Sequence, residues 1–262
     1  MHFFSICGKI VEEMDKETEE VVVAKSEAYY RNVYDEEYDS EWRQYVEDEQ
    51  YFKEQKTYEL ADGYTLDVRS YALEGGDGDR LASCHRFSQN VLKKNGEEIH
   101  SFINVDYQVK PFTEFLAHSN GHRYFAYHRD LYGISYFDLD TKEVYDYIPE
   151  GGEHDACYKT GESFIITDIY YDRTTDLVAY GGCYWASTYG VMVGALSETL
   201  HFDPHLIDIH ELVDPGYEKY DDIDFVRWKK DALVVKADEA QEFVIEIARL
   251  RAMLEEVTEN GK

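Results

Sequence analysis

The sequence has 262 residues, of which 44% are hydrophobic and 15% aromatic, so the chain contains enough apolar side chains to bury a sizeable core. It carries 55 Asp and Glu against 26 Lys and Arg, which gives a formal net charge of −29. Phosphate groups repel such a charge. It therefore argues against binding to nucleic acid and to an anionic membrane surface, and we expect neither as a partner.

The amino-terminal end and the cysteines indicate the compartment. Residues 1–9 contain a short apolar run with no basic region before it, which is not the pattern of a signal peptide or an anchor. No later segment approaches the roughly 18 consecutive apolar residues that a membrane helix needs. The cysteines stand far apart without C-x-x-C spacing, at Cys7, Cys84, Cys157 and Cys183. We therefore expect reduced thiols, no cofactor and a cytoplasmic protein.

Residues 1–60 form an acidic amino-terminal segment, which we expect to pack on the body as a hairpin followed by an amphipathic helix. Aromatic residues recur at steps close to 3.6, the spacing of one helix face: Tyr30, Tyr34, Tyr38, Trp42, Tyr45 and Phe52. Such a stripe usually packs on the protein's own core. Tyr and Trp also dominate binding surfaces, so Tyr34, Tyr38 and Trp42 are candidates for contact with a partner.

Residues 61–248 have the pattern of strands separated by turns. Apolar or aromatic runs of strand length alternate with segments rich in Gly, Asn, Asp and Thr. Asn95-Gly96 supplies the positive-φ residues of a tight hairpin turn, so Val91–Leu92 is expected to pair with Ile99–Phe102. Regular turn spacing with few helical stretches predicts a mainly β body.

The β body also repeats. Four short apolar runs begin 44, 53 and 56 residues apart: Leu81–Ser83, Phe125–Tyr127, Val178–Tyr180 and Val234–Lys236. A strand candidate precedes each run: Tyr64–Leu73, Phe112–Ala117, Phe164–Tyr170 and Ile223–Trp228. A further strand or hairpin follows each one. Three or four strands in every 45–55 residues is the pattern of propeller blades.

One of these repeats carries a resemblance to a known superfamily. Residues 132–144, Tyr-Gly-Ile-Ser-Tyr-Phe-Asp-Leu-Asp-Thr-Lys-Glu-Val, resemble the strand, D-L-x-T turn and strand of WD-repeat and related β-propeller blades. The resemblance covers roughly residues 60–248. It implies repeated antiparallel units of three to four strands, arranged as a closed or incomplete propeller. The alternative is another antiparallel β body with helical additions.

The last segment, residues 249–262, is predicted to be a carboxy-terminal helix. Leu250, Leu254 and Val257 fall on one side of that helix, which we expect to dock on the body as a cap.

The segment Gly181–Gly190 is the most unusual local sequence. Paired glycines let a backbone approach a ligand closely, and an exposed Tyr184-Trp185 pair would offer a flat apolar platform. The alternative is a bulged strand with Trp185 in the core. Asp168 lies near a strand end and is a further candidate for contact with a ligand.

Two groups of histidines can be compared with metal-ligand spacing. The densest group is His201, Asp203 and His205. Pro204 favours a plain connecting loop there, so these residues are weak candidates and no metal site is favoured. A second group, His118, His122 and His128, fits no metal spacing, and we expect these residues to be strand histidines.

Two functions are weighed here, beside a purely structural or oligomer-forming role. The repeated β body, the aromatic strands and the acidic field predict a protein-binding or scaffold module that recognises a basic partner. The alternative is a hydrolase that acts on a small molecule or sugar at a cleft between repeat loops, drawing on residues such as Asp168, Tyr184 and His205. No catalytic motif in the sequence is specific enough to decide between them.

Overall fold

A computed structural model of the chain describes residues 36–73, 85–105, 112–130, 133–147, 164–184, 187–200, 206–238 and 241–260. Over these residues the fold is mainly β, as predicted, and consists of four antiparallel sheets. Each sheet is built from strands that follow one another along the chain. None of the described helices is long and apolar enough to cross a membrane.

The four sheets are named A to D in chain order. Sheet A contains β1 (Phe52–Glu59), β2 (Tyr64–Leu73), β3 (His85–Lys94) and β4 (Glu97–Asn104). Sheet B contains β5 (Thr113–Ala117), β6 (Arg123–Tyr127), β7 (Ile134–Asp138) and β8 (Val144–Tyr147). Sheet C contains β9 (Ile165–Asp172), β10 (Leu177–Cys183), β11 (Tyr189–Ala195) and β12 (Ile207–Asp208). Sheet D contains β13 (Ile223–Lys229), β14 (Ala232–Ala237) and β15 (Gln241–Glu246).

Helices flank the sheets. They are α1 (Glu36–Val46), α2 (Leu196–Thr199), α3 (Ile209–Val213) and α4 (Ile247–Asn260). The Asp208 carboxylate accepts the backbone N–H of His210 and so caps the start of α3. Leu250 and Leu254 of α4 are buried in the core between sheets C and D, which confirms the predicted docking of this helix.

The predicted repeat matches the observed strands. Phe125–Tyr127, Val178–Tyr180 and Val234–Lys236 lie in β6, β10 and β14, while Leu81–Ser83 lies outside the described residues. The predicted hairpin is also confirmed. Asn95 and Gly96 have φ values of 50° and 88°, and Val91 of β3 pairs with Ser101 of β4.

The aromatic stripe before residue 53 is divided between a helix and a strand. Trp42 and Val46 of α1 are buried against Tyr71 and Phe87 of sheet A. Phe52 does not lie on the helix. It begins β1, because Asp48 caps a short 3-10 turn at Glu49–Tyr51 that ends the helical segment. β1 ends before residue 60, and it pairs with β2, which begins after residue 60. Sheet A therefore contains residues from both sides of the predicted boundary between the amino-terminal segment and the body. The predicted amino-terminal hairpin lies outside the described residues.

The sheets pack face to face in the order A, B, C, D through three apolar cores. Phe125 and Tyr127 of β6 pack in the core shared with sheet A, whereas Tyr124 and Ala126 of the same strand pack in the core shared with sheet C. Successive side chains of a strand point to opposite faces. A central strand with two buried faces therefore reads as a continuous apolar run instead of an alternating pattern.

The next interface repeats this arrangement. Val178 and Tyr180 of β10 lie in the core between sheets B and C, and Leu177 and Ala179 lie in the core between sheets C and D. The hydroxyl groups of Tyr136 and Tyr180 are 2.8 Å apart, so a buried hydrogen bond crosses the B–C core. Both faces of sheets B and C are thus occupied by neighbouring sheets.

Gly182 of β10 permits a close backbone approach in sheet C. The strand pairing shifts between Gly181 and Gly182, where β9 and β10 form a bulge. A Cβ atom added to Gly182 would lie 2.0 Å from the carbonyl oxygen of Ile165 and 2.9 Å from the Phe164 ring. Only glycine fits at this position without movement of β9.

We predict that Gly182→Ala destabilises the protein by about 2–3 kcal/mol, because the methyl group must displace the backbone of β9. Urea unfolding followed by circular dichroism measures this change. The matched control is Gly190→Ala on β11, where an added Cβ meets no heavy atom within 4 Å. We expect a change of less than about 0.5 kcal/mol for that control. Equal unfolding free energies for the two variants would contradict the assigned close approach.

Candidate functional site

A cleft opens between sheets C and D, near the carboxyl end of β10. Asp168 of β9, Gly181 of β10 and Val191 of β11 are paired neighbours across sheet C. Since Gly181 has no side chain, the centre of this row is hollow. β13 of sheet D borders the hollow on the other side, and the shallow space between them is open to solvent. We call it the acidic cleft.

Aromatic contacts hold the walls of the acidic cleft. Tyr170 of β9 stacks on Phe225 of β13, with ring centroids 3.9 Å apart and planes inclined by 8°. The Trp228 indole Nε1 donates a hydrogen bond of 2.9 Å to the Tyr170 carbonyl oxygen. These two contacts fix the edge of sheet D against the edge of sheet C. The cleft is therefore part of the packed interface and does not depend on a loop.

Tyr189 stands at the rim of the acidic cleft. Its side chain is 48% exposed, and it is one of few large hydrophobic residues so exposed among those described. Its backbone N–H donates a hydrogen bond of 2.8 Å to Asp222 Oδ1, which ties the start of β11 to the segment before β13. An aromatic ring thus lies beside the opening and remains accessible to a partner.

The acidic cleft carries negative charge from both sheets. Asp168 and Asp224 both line it and are both exposed. Burial raises the pKa of the Tyr170 hydroxyl, and the charges of Asp168 and Asp224 raise it further, so both carboxylates act on one phenol. No Lys or Arg is present among the described lining residues.

The carboxylates keep free hydrogen-bonding capacity. Asp168 Oδ2 accepts from Thr167 Oγ1 at 2.9 Å. Within the described part of the chain, Asp168 Oδ1 and the Asp224 carboxylate accept no hydrogen bond from a side chain or backbone N–H. Lys236 lies opposite Asp224 in the pairing of β13 with β14. Asp168 has no Lys or Arg among the described lining residues, so the binding of a positively charged group is favoured there.

Among the residues predicted from sequence, Asp168 lies in the acidic cleft. Tyr184 is half-buried instead, with its ring edge-on to Phe164 at 5.4 Å, beside the B–C core. Trp42 is 7% exposed and packs on Phe87, so its side chain belongs to the core between α1 and sheet A. Tyr38 lies within α1. The remaining candidates lie outside the described residues: Tyr34, Trp185, His201, Asp203 and His205.

Sequence reasoning missed the other half of the acidic cleft. The Gly181-Gly182 pair was recognisable as unusual, but nothing in the local pattern indicated that Gly181 and Asp224 line the same cleft. Asp224 stood in a run of acids of the kind that occurs by chance in so acidic a chain. Tyr170 and Tyr189 looked like ordinary strand aromatics. Their common location depends on the packing of sheet D on sheet C.

A second polar cluster contains the residue types of a catalytic triad, but its hydrogen bonds are not those of a triad. The Asp176 carboxylate accepts from Ser197 Oγ at 2.6 Å, from Tyr171 at 2.9 Å and from Ser119 Oγ at 3.1 Å. His118 Nε2 lies 2.9 Å from the same carboxylate, at ion-pair distance but without the angle of a hydrogen bond. Its other ring nitrogen accepts a backbone N–H. Ser119 therefore has no histidine base and the cluster ties sheet B to sheet C.

The pKa values of Asp176 and Cys183 also favour a structural role over a catalytic one. Burial raises the pKa of Asp176, but hydrogen bonds from Ser197 and Tyr171 and the charge of His118 outweigh it and hold the pKa below its ordinary value. Burial raises the pKa of the Cys183 thiol. A raised pKa leaves less thiolate, so Cys183 lacks the activation that a nucleophilic cysteine needs.

A third cluster contains residue types that ligate metal ions. Ligand atoms of His122, Asp138 and Asp140 lie within 4.8 Å of one another. His122 Nδ1 is already hydrogen-bonded to Asp138 Oδ2 at 2.6 Å, and Asp138 Oδ1 accepts the backbone N–H groups of Asp140 and Thr141. These bonds close the turn between β7 and β8, so the cluster has a structural explanation without an ion.

Comparison with known proteins leaves the acidic cleft without an assigned role. No protein-family model matches the sequence, and no curated protein matches it. The function is therefore inferred from the chemistry of the residues that line the cleft.

We predict that Asp138→Asn lowers the pKa of His122. The hydrogen bond to Asp138, with the charges of Asp138 and Asp140, raises this pKa above its ordinary value of 6.5, although burial opposes the shift. Protonated His122 thus adds stability that is complete below the unfolded pKa and is lost as the pH rises through the folded pKa. Proton NMR titration of the His122 ring measures the shift.

His100 is the internal control for that titration. Burial and the charge of Arg129 lower its pKa to about 4, and it makes no contact with Asp138. Its midpoint should not move in the variant. An unchanged midpoint for His122 would show that Asp138 does not pair with it in solution.

Proposed function

We propose that this protein is a protein-binding module that recognises a basic partner through the acidic cleft. The observation that carries this proposal is the pair of exposed carboxylates, Asp168 and Asp224, which line one hollow with no Lys or Arg among the described lining residues. Carboxylates without an internal cation are complementary to a Lys or Arg side chain of a partner.

The charge of the whole chain supports the same partner chemistry. A net charge of −29 attracts a basic protein over a distance of about one Debye length and raises the association rate. The acidic cleft then supplies the short-range contacts. Such a complex is expected to weaken as salt concentration increases.

Exposed aromatic area supports binding as well. Tyr189, at the rim, combines an apolar ring with a hydroxyl group and is 48% exposed. Tyrosine is enriched at binding hot spots, and its ring face also attracts a cation. The Tyr189 ring thus offers an apolar contact at the rim of the cleft that Asp168 lines.

The same residues support hydrolysis less well. A glycosidase needs one carboxyl group that apolar surroundings keep protonated until it donates its proton. Asp168 and Asp224 are both exposed to solvent. Together with the pairing of Ser119 to Asp176 and the raised pKa of Cys183, this exposure favours recognition over catalysis.

We also infer that the sheets form an incomplete, propeller-like arrangement. Four consecutive antiparallel sheets, joined in chain order by three cores, support it. On its face away from sheet B, sheet A carries α1 in the described structure, which fits an incomplete ring.

Distances between sheets A and D test this arrangement. Stacked sheets lie about 10 Å apart, so a straight row would separate sheets A and D by about 30 Å. Spin labels at Ser101 of β4 and Lys236 of β14, in a variant without native cysteines, report the separation by double electron–electron resonance. We expect a mean distance well below that of a straight row. A distance at or above it would exclude the curved arrangement.

The binding proposal is tested with a fluorescein-labelled octalysine peptide, by fluorescence anisotropy at low and moderate salt. We expect Asp168→Asn with Asp224→Asn to weaken binding by about tenfold, because charge-assisted contacts contribute about 1.5–3 kcal/mol. The matched control is Asp231→Asn with Glu246→Gln, which removes two exposed charges of sheet D outside the cleft.

The control variant should bind the octalysine peptide about twofold more weakly than the unmodified protein, since exposed surface charges contribute at most about 1 kcal/mol. An equal loss in the two double variants would mean that the peptide is held by diffuse surface charge. In that case the acidic cleft is not the recognition site.

A further inference from the structure

We propose that Asn95 is a site of spontaneous deamidation, and that the fold protects Asn120, which is also followed by glycine. The chain contains three Asn-Gly pairs, at residues 95–96, 120–121 and 260–261, and the structure describes both residues of the first two. These two pairs differ in the hydrogen bonds made by the reacting groups. The proposal does not depend on the acidic cleft.

Deamidation is a reaction of the asparagine side chain with the main chain that follows it. The nitrogen of the next residue loses its proton and attacks Cγ of the asparagine. As this N–Cγ bond forms, the Cγ–Nδ2 bond breaks, and Nδ2 takes up a proton and leaves as ammonia. Water then adds across one of the two ring C–N bonds of the resulting succinimide and produces aspartate or isoaspartate. Glycine favours the ring closure, because it has no side chain to restrict the backbone or obstruct the approach.

The groups that react at Asn95 are available. Asn95 and Gly96 are both exposed at the tip of the hairpin between β3 and β4. The Asn95 N–H donates to the Gly63 carbonyl oxygen at 3.0 Å, but this nitrogen takes no part in the reaction. Within the described part of the chain, the Asn95 carboxamide and the Gly96 N–H make no hydrogen bond. Attack at this site therefore requires no hydrogen bond to either reacting group to break.

The same groups are held in place at Asn120. Its Nδ2 donates to the Tyr124 hydroxyl at 3.0 Å, and its Oδ1 accepts the His122 N–H at 2.9 Å. The attacking nitrogen is also engaged, since the Gly121 N–H donates to the His118 carbonyl oxygen at 3.2 Å. Ring closure must disrupt these three bonds. Their combined strength corresponds to a slowing of at least about tenfold.

Deamidation at Asn95 changes the hairpin as well as the charge. Either product adds one negative charge. Isoaspartate also adds one carbon atom to the main chain of a turn whose two residues set the pairing of Lys94 with Glu97. Since β4 is an edge strand of sheet A, the altered pairing begins at the edge of the sheet.

The test incubates the purified protein at neutral pH and physiological temperature. Samples are digested at mildly acidic pH, which limits further conversion, and mass spectrometry follows the peptide that contains each Asn-Gly pair. We expect Asn95 to be converted at least about ten times faster than Asn120 in the folded protein. In urea that unfolds the protein the hydrogen bonds are absent, so the two sites should react at similar rates.

Tyr124→Phe tests the protection of Asn120 directly. The variant removes the hydroxyl that binds Asn120 Nδ2 and keeps the buried ring, and urea unfolding checks that it remains folded. We expect conversion of Asn120 to accelerate about threefold, because one hydrogen bond is lost, and conversion of Asn95 to stay unchanged. The matched control is Tyr220→Phe, which removes a hydroxyl that binds Gln241 in sheet D and should change neither rate.

Three results would overturn the proposal. The first is conversion of Asn95 in the folded protein at a rate equal to or below that of Asn120. The second is a ratio of rates that stays the same after unfolding, because the difference would then come from the local sequence. The third is an unchanged rate for Asn120 in Tyr124→Phe, which would show that its hydrogen bonds do not protect it.

Discussion

Burial of the central strands on both faces is the constraint on which the rest of the structure depends. In β6, β7 and β10 nearly every side chain is buried, since one set packs on the preceding sheet and the alternate set on the next sheet. Sheets B and C are thereby covered on both faces. A ligand can enter only at sheet edges, or where a central strand lacks a side chain.

Gly181 and Gly182 show how this constraint produces a cleft. Adjacent residues of a strand point to opposite faces, so each glycine serves a different interface. Gly182 permits the close approach of β9, because a Cβ there would collide with the Ile165 carbonyl oxygen. Gly181 leaves a gap towards sheet D, which Asp168 of the same sheet and Asp224 of β13 line.

Polar clusters at the sheet junctions carry structural tasks. Asp176 gathers hydroxyl groups and His118 from two sheets, and Asp138 closes a turn while it pairs with His122. Both clusters contain residue types that also occur in catalytic or metal sites. Their function is decided by which atom donates to which, because a serine that donates to a carboxylate has no base to activate it.

Local features of this protein followed from the sequence alone. The strand positions, the hairpin at Asn95-Gly96 and the buried face of α4 depend on the period of apolar residues and on turn residues within a few positions. The net charge predicts a basic partner, and this stays a prediction. The acidic cleft depends on tertiary structure instead, since Asp168 and Asp224 are distant along the chain and line one cleft because sheet D packs on sheet C, where Phe225 stacks on Tyr170. The packing of sheet D on sheet C decides that the gap at Gly181 becomes a cleft. The local sequence of one strand does not indicate which residues of another sheet will pack against it.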